Sequence, residues 1–443
     1  MRKDCAVLLK HLVIKRLYGH LSKEVHLKDR ITLLVGINGS GKTSVLNVLN
    51  WLLVPSLADL CTNEFEELAL TFRWKHQDYV IRCKQSDTQL VLKVKGVGGG
   101  RSYRPLRVVL YRPVREIPRV AIPDFRQHYT TLRPEAHEAT TWKFLSALPK
   151  PVVLGLDRHP HRSRAGGQGA SGGGTNPVEE VQRLAHDRYT EYRNEAIRFN
   201  EELKDKILLL ALDVDISGKT PSRHSVKITD EQIATLEDRV WRCLAQSAVV
   251  KSATAQGEHV SHAVAHYFKQ IRAAAATRKG AGAGELASRA AQFKRLQRLI
   301  SFFEEFEHDS ERAYRRIHAY LAEANRFLAD SAKTLSFTAR TNELAFDLLD
   351  KSGQAQGRSR DVNLLSSGEK QILILLTHIS FNSGKVFILD EPELSLHPKW
   401  QDDFLGAVDT LMPASAQLVI ATHSPAIVGT RTESCVPLLP YAE

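Results

Sequence analysis

The 443-residue sequence predicts an α/β fold: a parallel-sheet head with a phosphate-binding loop and a small antiparallel β subdomain, split by an inserted helical arm. Three observations predict it. Gly36-Ile37-Asn38-Gly39-Ser40-Gly41-Lys42-Thr43 fits the pattern G-x-x-x-x-G-K-[ST], preceded by the β-rich run Ile31-Thr32-Leu33-Leu34-Val35 and followed by a buried-helix pattern over residues 44–54. Val386-Phe387-Ile388-Leu389 and Leu418-Val419-Ile420-Ala421 are continuous apolar runs, the kind of strand buried on both faces of a parallel sheet. Each ends in polar groups (Asp390-Glu391, Thr422-His423), and ligand sites of such sheets lie at the carboxyl ends of the strands. Between the loop and these strands, residues 181–330 keep a helical periodicity beyond ordinary globular length.

Composition bounds the rest. A chain this long exceeds one ordinary core, so two or three structural units are expected. The 43% hydrophobic and 25% charged fractions suit a soluble globular protein, and no apolar run reaches membrane-spanning length. The N-terminus has no signal-peptide pattern, and Cys5, Cys61, Cys83, Cys243 and Cys435 are scattered without a C-x-x-C pair. These cysteines indicate neither a disulfide framework nor a zinc site, and a reducing cytoplasm is the expected location. A net charge of +11 favours an anionic partner such as nucleic acid, although many basic proteins bind none.

In chain order, residues 7–14 and 25–27 bracket a turn at Gly19-His20 and read as a hairpin feeding the strand that ends in the phosphate loop. The glycines let successive N–H groups face phosphate oxygens, and the helix start adds its positive dipole end. Lys42 is expected to reach β/γ-phosphates, and Thr43 to place its hydroxyl on Mg²⁺; Ser44 follows in the same helix start. Residues 68–74, 79–83 and 90–94 are β-rich runs separated by polar turns, predicting a small antiparallel sheet. Arg101, Arg104, Arg107, Arg112, Arg115 and Arg119 follow, with Pro105, Pro113 and Pro118 forbidding a long helix. The strip suits either a phosphate or partner-docking surface or a solvated loop paired to nearby acids. Residues 151–158 read as another strand of the main sheet, and 162–175 as a Gly/Ser-rich mobile loop.

From Val181 to Phe327 two long helical patterns flank shorter ones, with breaks at 217–221 and 280–284. They are read as an arm, either a projecting coiled coil or a helical domain folded against the head. The expected division is therefore 1–158 and 331–443 for the two halves of the head, 159–180 for a flexible loop, and 181–330 for the arm.

Beyond the arm the motifs resemble those of ABC-type ATPases. Leu364-Leu365-Ser366-Ser367-Gly368-Glu369-Lys370-Gln371 resembles the signature motif, whose serine and helix-start N–H groups hold a γ-phosphate. The physics agrees, because Ser366 or Ser367 can cap the apolar helix that follows. Val386 to Glu391 resembles Walker B, implying Asp390 on Mg²⁺ and Glu391 as the base that orients or deprotonates water. Glu393-Leu394-Ser395-Leu396-His397-Pro398 resembles the loop that crosses a dimer interface, and His423 matches the switch histidine contacting the γ-phosphate. The Q-loop glutamine is left unplaced, with Gln127 a candidate.

The split of the head by an arm resembles the SMC and RecF-type branch. Asp390-Glu391-Pro392-Glu393-Leu394-Ser395-Leu396-His397-Pro398 with Ala421-Thr422-His423-Ser424-Pro425 is similar to the ATPase modules of overcoming-lysogenization-defect nucleases and to the antiphage ATPase subunits of PARIS and Septu systems. Those nucleases continue into a Toprim domain, whereas only a short tail follows His423 here, so no nuclease is expected on this chain. Zinc-hook repair ATPases carry a C-x-x-C at the arm apex, and this arm has only Cys243. The resemblance implies ATP and Mg²⁺ as cofactors and a homodimer or higher homo-oligomer with ATP sandwiched between heads. It further implies a separately encoded effector, expected to be a nuclease, with nucleic acid or a phage protein as candidate trigger and no membrane partner. The alternative function is DNA repair or chromosome maintenance; a transporter ATPase is disfavoured by the arm.

Overall fold

The computed structural model describes residues 7–155, 176–211, 230–246, 262, 264–270, 272, 283–382, 384 and 386–439. The expected mobile loop at 162–175, the turn at 217–221 and most of the break at 280–284 lie outside these. Contacts divide the chain into a head, residues 1–188 and 317–443, and a helical unit, residues 189–316. Among the described residues, no helix is long and apolar enough to cross a membrane.

The head is built on two main sheets. Strands β1 (Val7–Leu17) and β2 (Leu21–His26) form the expected hairpin. Strands β4 (Glu67–Trp74), β5 (Gln77–Gln85), β6 (Gln89–Gly96) and β7 (Leu106–Val109) extend it into a six-stranded antiparallel sheet, ordered β2-β1-β4-β5-β6-β7. Period-two alternation explains its one-sided burial: Leu68, Leu70, Phe72, Ile81, Cys83, Leu90, Leu92 and Val94 enter the core. Strand β7 falls inside the arginine-dense segment, where Leu106 and Val108 alternate inward between exposed Arg107 and Val109.

The second sheet is parallel, ordered β14-β3-β13-β12-β8, with β3 at Ile31–Val35, β8 at Val152–Leu154, β12 at Val386–Asp390, β13 at Gln417–Thr422 and β14 at Cys435–Pro437. Strand β13 is buried along its whole length, as its unbroken apolar run requires. It lies between β3 and β12, so the chain segments leaving these three strands emerge side by side. Gln417, 1% exposed, ties the two sheets: its Oε1 accepts Leu9 N–H at 2.8 Å, and its Nε2 donates to the carbonyls of Leu9 and Lys28 at 2.8 and 2.7 Å. Helix α1 (Lys42–Leu53) lays Val45, Leu46, Leu49 and Leu52 into the same core. After β7, Pro113 and Pro118 precede single 3-10 turns, and a helix begins only at Ile122.

A third sheet, β9 (Lys333–Phe337), β10 (Leu344–Leu349) and β11 (Ala355–Asp361), precedes the signature helix Ser367–Phe381. In the head, the helix Pro177–Ala211 buries Val178, Val181 and Ala185, and the helix Ala283–Leu328 buries Tyr320, Ala324 and Phe327. Gln182 bonds both backbone groups of Leu344, and the Tyr320 hydroxyl meets Thr377 Oγ1 at 2.9 Å. The helical unit has its own core of Ile233, Leu236, Val240, Phe268, Phe293 and Ile300. Arg239 adds a two-pronged pair with Glu304, at 2.8 and 2.6 Å.

Candidate nucleotide site

The phosphate loop joins β3 to α1. Ile37, Asn38 and Gly39 are exposed on it, whereas Ser40 and Lys42 are buried. Gly36 is held by close approach: a Cβ there would stand 2.6 Å from the Leu438 carbonyl oxygen and 2.7 Å from Ser40 Oγ. Gly41 is the N-cap of α1 and offers no side-chain acceptor, so the first N–H groups of the helix are left for a ligand. Lys42 Nζ donates to the carbonyls of Gly36 and Ile37 at 2.9 and 3.2 Å, curling the loop around its own ammonium.

Three strand ends meet that lysine. Thr43 donates its hydroxyl to Asp390 Oδ1 at 3.2 Å, joining the loop to the end of β12. His423, just past β13, sits between the two, with Nδ1 3.5 Å from Lys42 Nζ and Nε2 3.3 Å from Glu391 Oε1. An ammonium can only donate, so this geometry suits the neutral tautomer, with Nδ1 accepting and Nε2–H facing the carboxylate. Glu391 adopts φ 45°, an uncommon left-handed conformation for a side chain with a Cβ, and its N–H donates to Ala421 O at 2.9 Å. Burial raises the Asp390 pKa, opposed by the Thr43 hydrogen bond and reinforced by Glu391. Burial lowers the Lys42 pKa, opposed by Glu391, Asp390 and Glu393. The hydroxyl and carboxylate of Thr43 and Asp390 are hard oxygen donors of the type Mg²⁺ takes.

The signature segment is organised by its own contacts. Ser366 is the N-cap of helix Ser367–Phe381, and with Glu369 it forms a reciprocal capping box. Ser366 and Ser367 remain exposed at the helix start. A Cβ on Gly368 would meet the Ser395 carbonyl at 2.7 Å, so the signature and the loop after β12 touch at the backbone. Among the described residues, the hydrogen bonds of Ser366 and Glu369 do not reach the phosphate loop.

The side chain of Glu369 is engaged within the protein. The Glu369 carboxylate is enclosed, 3% exposed, accepting from Lys333 Nζ at 2.7 and 2.8 Å, Ser331 Oγ at 2.7 Å and Ser366 N–H at 2.7 Å. Its lone pairs are committed, so it shapes the helix start and leaves the N–H groups to any ligand. Burial raises the Tyr18 pKa, opposed by the neighbouring Ser44 hydroxyl. Glu393, which the sequence places in the loop after β12 and outside the nucleotide site, contacts the segment that carries His423. Its Oε1 accepts Thr422 Oγ1 at 2.8 Å, His423 N–H at 2.6 Å and Ser424 N–H at 3.2 Å, fixing the segment that carries His423. The signal available was a third carboxylate two residues beyond Glu391.

The family described as "AAA domain, putative AbiEii toxin, Type IV TA system" matches residues 275–429. Segments of the chain are similar to "Retron Vc95 probable ATPase" of Vibrio cholerae serotype O1 biovar El Tor, 27% identical over 104 residues, covering 20% of each chain. A further similarity is to the UvrABC system protein A of Lactiplantibacillus plantarum, 36% identical over 66 residues, covering 15% of this chain and 7% of that one. The chain thus spans a fifth or less of the length of these relatives. Among solved structures, the Smc head domain of Pyrococcus furiosus, with an extended coiled coil and bound to the C-terminal domain of ScpA, aligns over 97% of this chain and 93% of that one. Its sequence identity is 13% and its TM-score 0.38. The Smc head of Pyrococcus yayanosii, with a coiled coil and joint, aligns over 97% and 95% at 13% identity and a TM-score of 0.34.

Proposed function

We propose that the chain is a Mg²⁺-dependent ABC-type ATPase, hydrolysing ATP to ADP and phosphate, whose nucleotide state controls a separate effector in bacterial antiphage defence. The observation that carries the ATPase reading is the convergence of Lys42, Thr43, Asp390, Glu391 and His423 at adjacent strand ends. Lys42 exchanges the carbonyls of Gly36 and Ile37 for β/γ-phosphate oxygens. Bound Mg²⁺, held by Thr43 and Asp390, would neutralise phosphate charge as the leaving group departs. Glu391 orients the attacking water and takes its proton, and His423 carries the γ-phosphate contact between Lys42 and Glu391.

Two heads facing each other, with ATP between one phosphate loop and the other signature, complete each site. In support, Ile37, Leu364 and Leu394 are 64%, 70% and 44% exposed, on the three motifs that such a dimer would cover. The similarity to a retron ATPase, together with the PARIS- and Septu-like motifs, supports defence, a cytoplasmic location and a separate effector, a nuclease on this reading. The segment similar to UvrABC system protein A favours the second reading, DNA repair.

Measuring nucleotide binding and hydrolysis tests the enzymatic core. Lys42→Ala should lose binding, whereas Glu391→Gln should bind ATP and not turn it over; undiminished hydrolysis by Glu391→Gln would sink the role of Glu391. Phage plating with and without the neighbouring genes separates defence from repair, because a defence ATPase protects only together with its effector.

A further inference from the structure

We propose that His11, Glu24 and His26 form a three-ligand site for a transition-metal dication of the zinc class on the outer face of the β1–β2 hairpin. His11 and His26 are direct cross-strand partners. The Leu27 N–H bonds Lys10 O at 2.8 Å, one residue away on each strand, which makes them a non-hydrogen-bonded pair, the position where facing side chains come closest. Their rings stack with centroids 4.4 Å apart and 16° between planes. Glu24 lies two residues before His26, hence on the same face of β2, and its Oε1 stands 2.8 Å from His11 Nε2. One donor atom from each residue lies within 4.8 Å of the others.

Two imidazoles and a carboxylate are a donor set that zinc uses. Bonds of ~2.0–2.2 Å put tetrahedral ligands about 3.4 Å apart, so closure takes side-chain rotation without backbone movement. Partial exposure at all three positions permits that rotation and leaves a fourth position to water. The donors are far from every cysteine pattern, which is why a zinc site was not expected from the sequence. The competing account is an ordinary His–Glu ion pair with a stacked neighbour. It leaves the ring nitrogens of His26 without a hydrogen-bond partner among the described residues, whereas ligation uses one of them. Ligation would also cross-link β2, the edge strand of the six-stranded sheet, to β1.

The test is titration of the full chain, stripped of metal and nucleotide, with Zn²⁺ by calorimetry and with Co²⁺ by visible absorption near neutral pH. One equivalent of Zn²⁺, Co²⁺ ligand-field bands and a raised melting temperature are expected. His26→Gln and Glu24→Gln, both at exposed positions, should each weaken binding by about tenfold or more, and acidification should release the metal by protonating the imidazoles. Absence of stoichiometric Zn²⁺ binding, or unchanged affinity in His11→Gln/His26→Gln and in Glu24→Gln, would overturn the proposal.

Discussion

Glu393 accepts the backbone N–H of His423 at 2.6 Å, and the same carboxylate oxygen takes the Thr422 hydroxyl and the Ser424 N–H. Three donors on one oxygen fix the chain where it leaves β13, which sets how far His423 stands from Lys42 and Glu391. Glu393 thereby acts as a positioning residue for His423. Glu393→Ala is therefore expected to lower ATP turnover by about 10- to 100-fold through misplacement while nucleotide affinity changes little. Parallel binding and steady-state measurements check this, and normal turnover in the variant would reduce Glu393 to a structural acid.

The Glu369–Lys333 pair should make the head sensitive to acid. Its hydrogen bonds from Lys333, Ser331 and Ser366 hold Glu369 down, from the usual 4.5 to about 2, against the opposing and largest single effect of burial. A carboxyl depressed in the folded state contributes stability that is fully present above its unfolded value and is lost as pH falls through the folded one. The window is therefore between the usual carboxylate range and about 2. At neutral pH the contribution is on the order of 3 kcal/mol. Glu369→Gln should lower stability at neutral pH, where the half-buried Lys333 is left without its counter-charge, and flatten the acid limb of the stability curve. Denaturant unfolding at a series of pH values reads both effects; parallel wild-type and variant curves would contradict this account.

The legibility of this chain follows contact range. Gly36 to Thr43, Val386 to Glu391 and Leu418 to His423 were readable because each places its chemistry within one strand–turn unit, where periodicity and spacing are local. That a serine caps the signature helix was readable for the same reason, but the choice of Ser366 over Ser367 comes from its reciprocal bonding with Glu369. Lys333 was not, because it approaches Glu369 only through the third sheet, and no local pattern marks a lysine that will pair with a distant carboxylate. Strand β7 was hidden by the arginines and prolines around it, and its two inward residues gain meaning only against β6. The hairpin was visible, but its register was not, and register alone puts His11 opposite His26.

The shared-site reading makes its own prediction. Ser366 and Ser367 stand exposed at a helix start whose capping carboxylate is already committed, so their outward N–H and hydroxyl groups can serve a phosphate on another copy. If each site takes its phosphate loop from one protomer and its signature from the other, Lys42→Ala and Ser367→Arg chains should each be inactive alone. Mixed, they form heterodimers in which one site carries both lesions and the other carries neither. Equal mixing with free exchange then restores about a quarter of wild-type turnover, since half the dimers are mixed and each has one sound site of two. ATPase assays on the mixture, with dimer exchange verified by differently tagged chains, measure the recovery. No recovery despite exchange, or a full rate per chain on dilution to monomer, would mean that hydrolysis is completed within a single head.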